Sequence, residues 1–126
     1  MAKSFFAAVS IDTLKNLRQL VSSFSKSFPG SSSIAVLSKS RIESQWQRWT
    51  KALPTIKPYY AVKCNPDPLL IQTLSDLGAG FDCASPAELD IVKTKKVIYA
   101  NPCKRPADIL YASKNGVTRT TFDSVC

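Results

Sequence analysis

From Pro58 onward the chain repeats a pattern that leaves few folds open to it. Four short segments each bring an aromatic residue and then polar side chains. They are Tyr59-Tyr60-Ala61-Val62-Lys63-Cys64, Ala79-Gly80-Phe81-Asp82-Cys83-Ala84, Val97-Ile98-Tyr99-Ala100-Asn101-Pro102 and Thr120-Thr121-Phe122-Asp123-Ser124. Their aromatic positions 60, 81, 99 and 122 lie roughly twenty residues apart, too far for hairpins and right for strands alternating with helices. Helical signals fill the gaps. Pro66 and Pro68 suit a first turn, Leu70, Leu74 and Leu77 form an apolar stripe, and Gly78 suits the stop. Ser85-Pro86-Ala87-Glu88 is a capping box with proline at the first helical position. Pro106 opens a third helix through Ile109, Leu110 and Ala112, closed by Asn115-Gly116. The expectation is an α/β fold of parallel βαβ units, with strands over 59–63, 79–83, 97–100 and 119–123. Right-handed crossovers bring the polar strand ends to one edge. Lys63, Asp82, Asn101 and Asp123 then stand along the C-terminal rim, where α/β barrels build active sites.

Lys63 ends a run of aromatic and β-branched residues that reads as a buried strand. One reading lets its stem pack on apolar surface while the ammonium reaches water. The other is a desolvated lysine that forms a Schiff base with a carbonyl cofactor. A carboxylate beside it on the rim, Asp82, favours the second.

The remaining composition excludes more than it assigns. The net charge of +8 is concentrated in residues 1–58, where nine Lys/Arg face only Asp12 and Glu43. No basic cluster alternates with aromatics as in a nucleic-acid module, so this excess reads as a solvated basic surface and no nucleic-acid partner is expected. No apolar run approaches a membrane span. Cys64, Cys83, Cys103 and Cys126 form no C-x-x-C pair and the chain has no histidine, so no metal site is expected. Reduced thiols in the cytoplasm are the default. Residues 1–33, with nine serines and one acid, also carry the composition of an organelle transit peptide. Their competing reading is a surface helix on Leu14, Leu17, Leu20, Val21 and Phe24 after Ser10 or Asp12, followed by a linker over residues 28–33. Ile34-Ala35-Val36-Leu37 is a strand candidate. Ile42 to Leu53 reads as a helix ended by Pro54, with Trp46 and Trp49 as core anchors.

The segments Pro58-Tyr59-Tyr60-Ala61-Val62-Lys63-Cys64-Asn65, Gly80-Phe81-Asp82-Cys83-Ala84-Ser85, Tyr99-Ala100-Asn101-Pro102-Cys103-Lys104 and Thr121-Phe122-Asp123-Ser124 together closely resemble eukaryotic ornithine decarboxylases. The resemblance covers about residues 45 to 126, and Pro66-Asp67-Pro68 gives it a plant-like cast. It implies a pyridoxal 5′-phosphate enzyme of the group that builds a (β/α)₈ alanine racemase-like barrel followed by a β-domain. It implies decarboxylation of L-ornithine to putrescine in polyamine biosynthesis, by a homodimer. By the same resemblance Lys63 holds the cofactor as a Schiff base, Asp82 is the carboxylate beside that lysine, Glu88 supports it, and Ala61 lines the floor beneath the cofactor.

This chain carries only part of that pattern. Residues 1–33 are expected to form the basic, Ser-rich segment. Residues 34–126 are expected to supply the first four βα units, a truncated barrel without the β-domain. The stacking histidine, the Gly-rich phosphate loop and the carboxylate at the pyridine nitrogen of the family have no counterpart here. The link from Leu89 to Val97 is several residues shorter than the family's, which predicts a helix of about two turns and a strained or poorly ordered connection near Lys93 to Lys96. An ornithine decarboxylase-like chain inactive alone is the first reading. A non-catalytic, antizyme-binding regulator of the antizyme-inhibitor type is the second, and a functionless remnant the third.

Overall fold

Each helix after residue 65 starts at a proline, at Pro68, Pro86 and Pro106. The computed structural model describes residues 14–27, 36–94 and 96–124. It divides into two units, Met1–Ser38 and Lys39–Cys126.

In the first unit, α1 spans Leu14–Ser27. Leu17, Leu20, Val21 and Phe24 are half-buried along one face, while Arg18, Gln19, Ser22 and Ser23 are exposed, the stripe expected from their spacing. The expected caps Ser10 and Asp12, the linker at 28–33, and Ile34 and Ala35 lie outside the described residues. Val36 and Leu37 have no regular structure, so the strand expected there is not formed at those positions.

The second unit begins with α2, Lys39–Ala52, which has no buried residue. The tryptophans are therefore not the core anchors that their size suggested. Trp46 is half-buried and Trp49 is 36% exposed. Trp49 instead works through its polar edge, with its indole N–H donating to the Ile56 carbonyl at 2.9 Å. That bond folds the turn after α2 back onto the helix.

Then β1 (Tyr59–Ala61) runs into a 3₁₀ turn at Val62–Cys64. The strand is shorter than expected because Val62 turns fully into the core and the backbone coils with it. Next comes α3 (Pro68–Leu77), whose first amides are capped by Asp67: its Oδ1 accepts from the Leu69 and Leu70 N–H groups at 2.9 and 3.2 Å. Gly78 stops the helix at φ 94°, a conformation only glycine adopts freely. After β2 (Gly80–Cys83), α4 spans Pro86–Ile91, β3 Val97–Tyr99 and α5 Pro106–Lys114.

The three strands form one parallel sheet in the order β1-β2-β3. The expected fourth strand is reduced to one parallel bridge, Tyr99 to Thr120. It is held by Tyr99 N–H on the Arg119 carbonyl, Thr121 N–H on the Tyr99 carbonyl, and the Thr120 hydroxyl on the same carbonyl. The core lies between the sheet and its helices, built on Val62, Ile71, Phe81, Cys83, Leu89, Val97 and Tyr99. Phe81 has no exposed surface; burying such a side chain contributes roughly 1.5–3 kcal/mol.

The described residues of the short link after α4 carry no positive φ. Among the described residues only Gly78 and Gly116 have positive φ. Val92 ends the helix by turning into the core at 6% exposure, and Lys96 N–H donates to the Thr94 hydroxyl at 3.3 Å. At six residues α4 is a little under two turns. Lys95 lies outside the described residues.

Candidate functional site

Strand register decides which side chains can meet at the rim. Ala61, Asp82 and Ile98 lie in one row across the sheet, and Tyr60, Phe81 and Val97 in the row before it. Neighbouring strands are about 4.8 Å apart and alternate residues face opposite ways. Phe81, Cys83, Val97 and Tyr99 are buried under the helices. Ala61, Asp82 and Ile98 therefore occupy the other face, and all three are half-buried.

Lys63 follows two residues beyond Ala61, on the 3₁₀ turn at the same end of the sheet as Asp82. The two expected site residues thus share the C-terminal rim. They form no ion pair with each other; the ion pairs among the described residues include Lys39–Glu43 and Arg105–Asp108. Lys63 is exposed. The desolvated pocket expected around it is not supplied by the described residues.

Glu88 is occupied by the backbone. Its Oε2 accepts from Ala84 N–H at 2.8 Å, while its own N–H donates to Ser85 Oγ at 3.3 Å. This is the expected capping box shifted by one residue, since the carboxylate reaches the residue before the cap. Between Asp82 and Glu88 sits Cys83, fully buried. Burial, reinforced by Glu88 and then by Asp82, pushes its thiol from 9.0 up to about 12. A thiol held neutral in this way is no nucleophile.

Three contacts at the site were not legible from the motifs. Asn101 donates through Nδ2 to the Ala84 carbonyl at 3.4 Å and accepts the Cys103 N–H at 3.2 Å. Lys104 Nζ donates to the Thr121 carbonyl at 2.5 Å and lies 5.5 Å from the centre of the Tyr99 ring. At the opposite end of the same sheet face, Tyr59 lays its ring over Gly80 and its hydroxyl accepts from Arg119 Nη1 at 2.5 Å. An asparagine two residues after a strand and just before a proline is a local signal for the turn made by the first of these. The other two join residues far apart in the chain and leave no local trace. Asp123, expected on the rim, is exposed.

This arrangement fits one end of a pyridoxal cofactor. An exposed amine and a half-buried carboxylate share one end of the sheet, with a small Ala61 in the same row as that carboxylate. At this rim the first amides of α3 are taken up by Asp67, and the Glu88 N–H of α4 by Ser85. Among the described residues, no group of three or more His, Cys, Asp or Glu could hold a metal ion, and no helix is long and apolar enough to cross a membrane.

Known proteins share both sequence and fold with this chain. The family model described as "Pyridoxal-dependent decarboxylase, pyridoxal binding domain" matches residues 39–126. The chloroplastic ornithine decarboxylase of Nicotiana glauca is 46% identical over 94 residues, which are 71% of this chain and 22% of that protein. Antizyme inhibitor 2 of Xenopus laevis is 51% identical over 82 residues, 61% of this chain and 18% of that protein. The crystal structure of ornithine decarboxylase from Entamoeba histolytica superposes with a TM-score of 0.76 at 30% identity, covering 88% of this chain and 37% of that one. The chain spans about a fifth of the length of the curated relatives it matches. By the match over residues 39–126 and the parallel sheet that carries Lys63 and Asp82 to one rim, the chain belongs to the pyridoxal-dependent decarboxylase family, within its pyridoxal-binding domain.

Proposed function

We propose that this chain supplies the cofactor-holding lysine of a pyridoxal 5′-phosphate-dependent decarboxylase acting on L-ornithine or a related basic amino acid. The observation that carries the reading is the register. Ala61 pairs with Asp82, and the exposed Lys63 stands two residues further along the same rim. Lys63 Nζ is the amine that takes the cofactor aldehyde. Asp82, fixed by β2, places a carboxylate on the face where cationic charge accumulates around that nitrogen. Glu88 acts at one remove, by holding the turn that follows Asp82. Ala61 leaves room for a flat ring in its row. When bound, the cofactor supplies the electron sink for the carbanion left as CO₂ departs.

A chimera tests this. Residues 39–126 replace the matching segment of the Nicotiana glauca enzyme, and labelled CO₂ from carboxyl-labelled L-ornithine is measured. The expected result is activity in the chimera and a loss of at least about 10³-fold with Lys63→Ala. The 126-residue chain alone, whose described residues form three of the eight strands a barrel needs, releases none. A chimera that folds and binds the cofactor but decarboxylates no better with Lys63 than with alanine contradicts the proposal.

The likeness to an antizyme inhibitor favours a second reading, a non-catalytic regulator that binds antizyme. Retention of antizyme on immobilised chain, together with an inactive chimera, would select it. For compartment the reading is the cytoplasm; import of residues 1–38 fused to a fluorescent protein into plastids or mitochondria would replace it.

A further inference from the structure

The four residues Asn101-Pro102-Cys103-Lys104 join two parts of the rim that no strand pairing joins. Backwards, Asn101 Nδ2 bonds the carbonyl of Ala84, directly after β2. Forwards, Lys104 Nζ bonds the carbonyl of Thr121 in the fourth-strand segment. Asn101 Oδ1 meanwhile accepts the Cys103 N–H and so fixes the turn between them. Ala84 is gripped on both sides, since its N–H is held by Glu88 and its carbonyl by Asn101. It lies two residues beyond Asp82. The fourth-strand segment pairs with β3 only around Tyr99. There Lys104 adds a bond beyond that pairing and sits over the Tyr99 ring.

We propose that the loop from Asn101 to Lys104 is a clasp for the rim, with Asn101 and Lys104 as positioning residues that hold Asp82 and the fourth-strand segment in place for the reaction at Lys63. This rests on the reading of Lys63 as the cofactor-holding lysine. A charge-assisted bond to a carbonyl is stronger than a neutral one, and Lys104 keeps an ammonium half-buried to make it. The clasp thus acts at the one place where the sheet has least pairing of its own.

Asn101→Asp separates the two bonds of Asn101. It keeps an acceptor for the Cys103 N–H and removes the donor to Ala84. Lys104→Met keeps the stem and removes the ammonium. Two readouts are taken on the 126-residue chain. Amide hydrogen exchange should speed at least fivefold at Ala84 and Ala100 in Asn101→Asp, and at Thr121 in Lys104→Met. Exchange at Gly80, whose N–H bonds the Pro58 carbonyl, should stay unchanged in both. Pyridoxal 5′-phosphate fixed to Lys63 by borohydride should form at least threefold more slowly in each variant, with labelling of the exposed Lys114 unaltered. Unchanged exchange in both variants overturns the clasp. Faster exchange with unchanged labelling at Lys63 overturns the positioning role and leaves a structural tie. If the unmodified chain shows no labelling at Lys63, the cofactor reading has failed and the proposed positioning role fails with it; the exchange result then decides the clasp alone. Should Asn101→Asp not fold, Asn101→Ser removes the same donor and is read the same way.

Discussion

Gly80 and Cys83 occupy opposite faces of β2, and each is fixed by what lies against it. A Cβ built at Gly80 would stand 2.5 Å from the Tyr59 ring. Gly80→Ala should therefore destabilise the chain by about 1–3 kcal/mol, and Tyr59→Ala in the same chain should return part of that loss. A double-mutant cycle on thermal unfolding measures the coupling; purely additive effects would mean the ring is free to move aside. At Cys83 the prediction concerns pH. In the fold its thiol stays protonated to about 12 against 9.0 for an ordinary thiol. Unfolding between those values releases a proton, so this contribution is intact below pH 9 and is lost as pH rises toward 12. Tyr60, Tyr99 and Tyr111 are raised as well, chiefly by burial for the first two and by the bond to Asp90 for Tyr111. Their effect has the same sign, so the comparison must isolate the thiol. The thermal midpoint should fall more steeply above pH 9 in the unaltered chain than in Cys83→Ala. Equal slopes would show a thiol that ionises freely.

Among the elements, α4 is the one with least to spare. Six residues give it few internal hydrogen bonds, and isolated helices of that length do not persist. It stands because Ser85 and Glu88 satisfy amides at its start and Leu89 and Val92 bury its inner face. Ser85→Ala should lower stability by about 1 kcal/mol, read as a shift in denaturant midpoint with unchanged slope. The helices were legible in advance because their starts and stops are local. Pro86 after Ser85, and Gly78 and Gly116 at positive φ, state their roles within a few residues. The strand ends were less legible. β1 stops at Ala61 because Val62 is drawn into the core, and the fourth strand shrinks to one bridge at the edge of the sheet. Both are tertiary effects. Trp49 misled for a related reason: its size argued for the core, while its N–H found a carbonyl seven residues on.

At the scale of the whole chain, the family and the rim could be read from four motifs between Tyr59 and Ser124, because their common spacing places them side by side. What could not be read was the environment of the site. The sheet face carrying Ala61 and Asp82 is half-buried and Lys63 is exposed. Desolvation of a lysine depends on everything packed over it, which no motif states. The central claim is that Lys63, of all the lysines in the chain, is the one placed to hold pyridoxal. The most direct test adds pyridoxal 5′-phosphate to the 126-residue chain, reduces with borohydride and maps the fixed label by peptide mass. Label should concentrate on Lys63, and should redistribute without preference when Asp82 is changed to Ala. Label spread evenly over the exposed lysines of the unaltered chain, with Lys63 no more modified than Lys51 or Lys114, would contradict it.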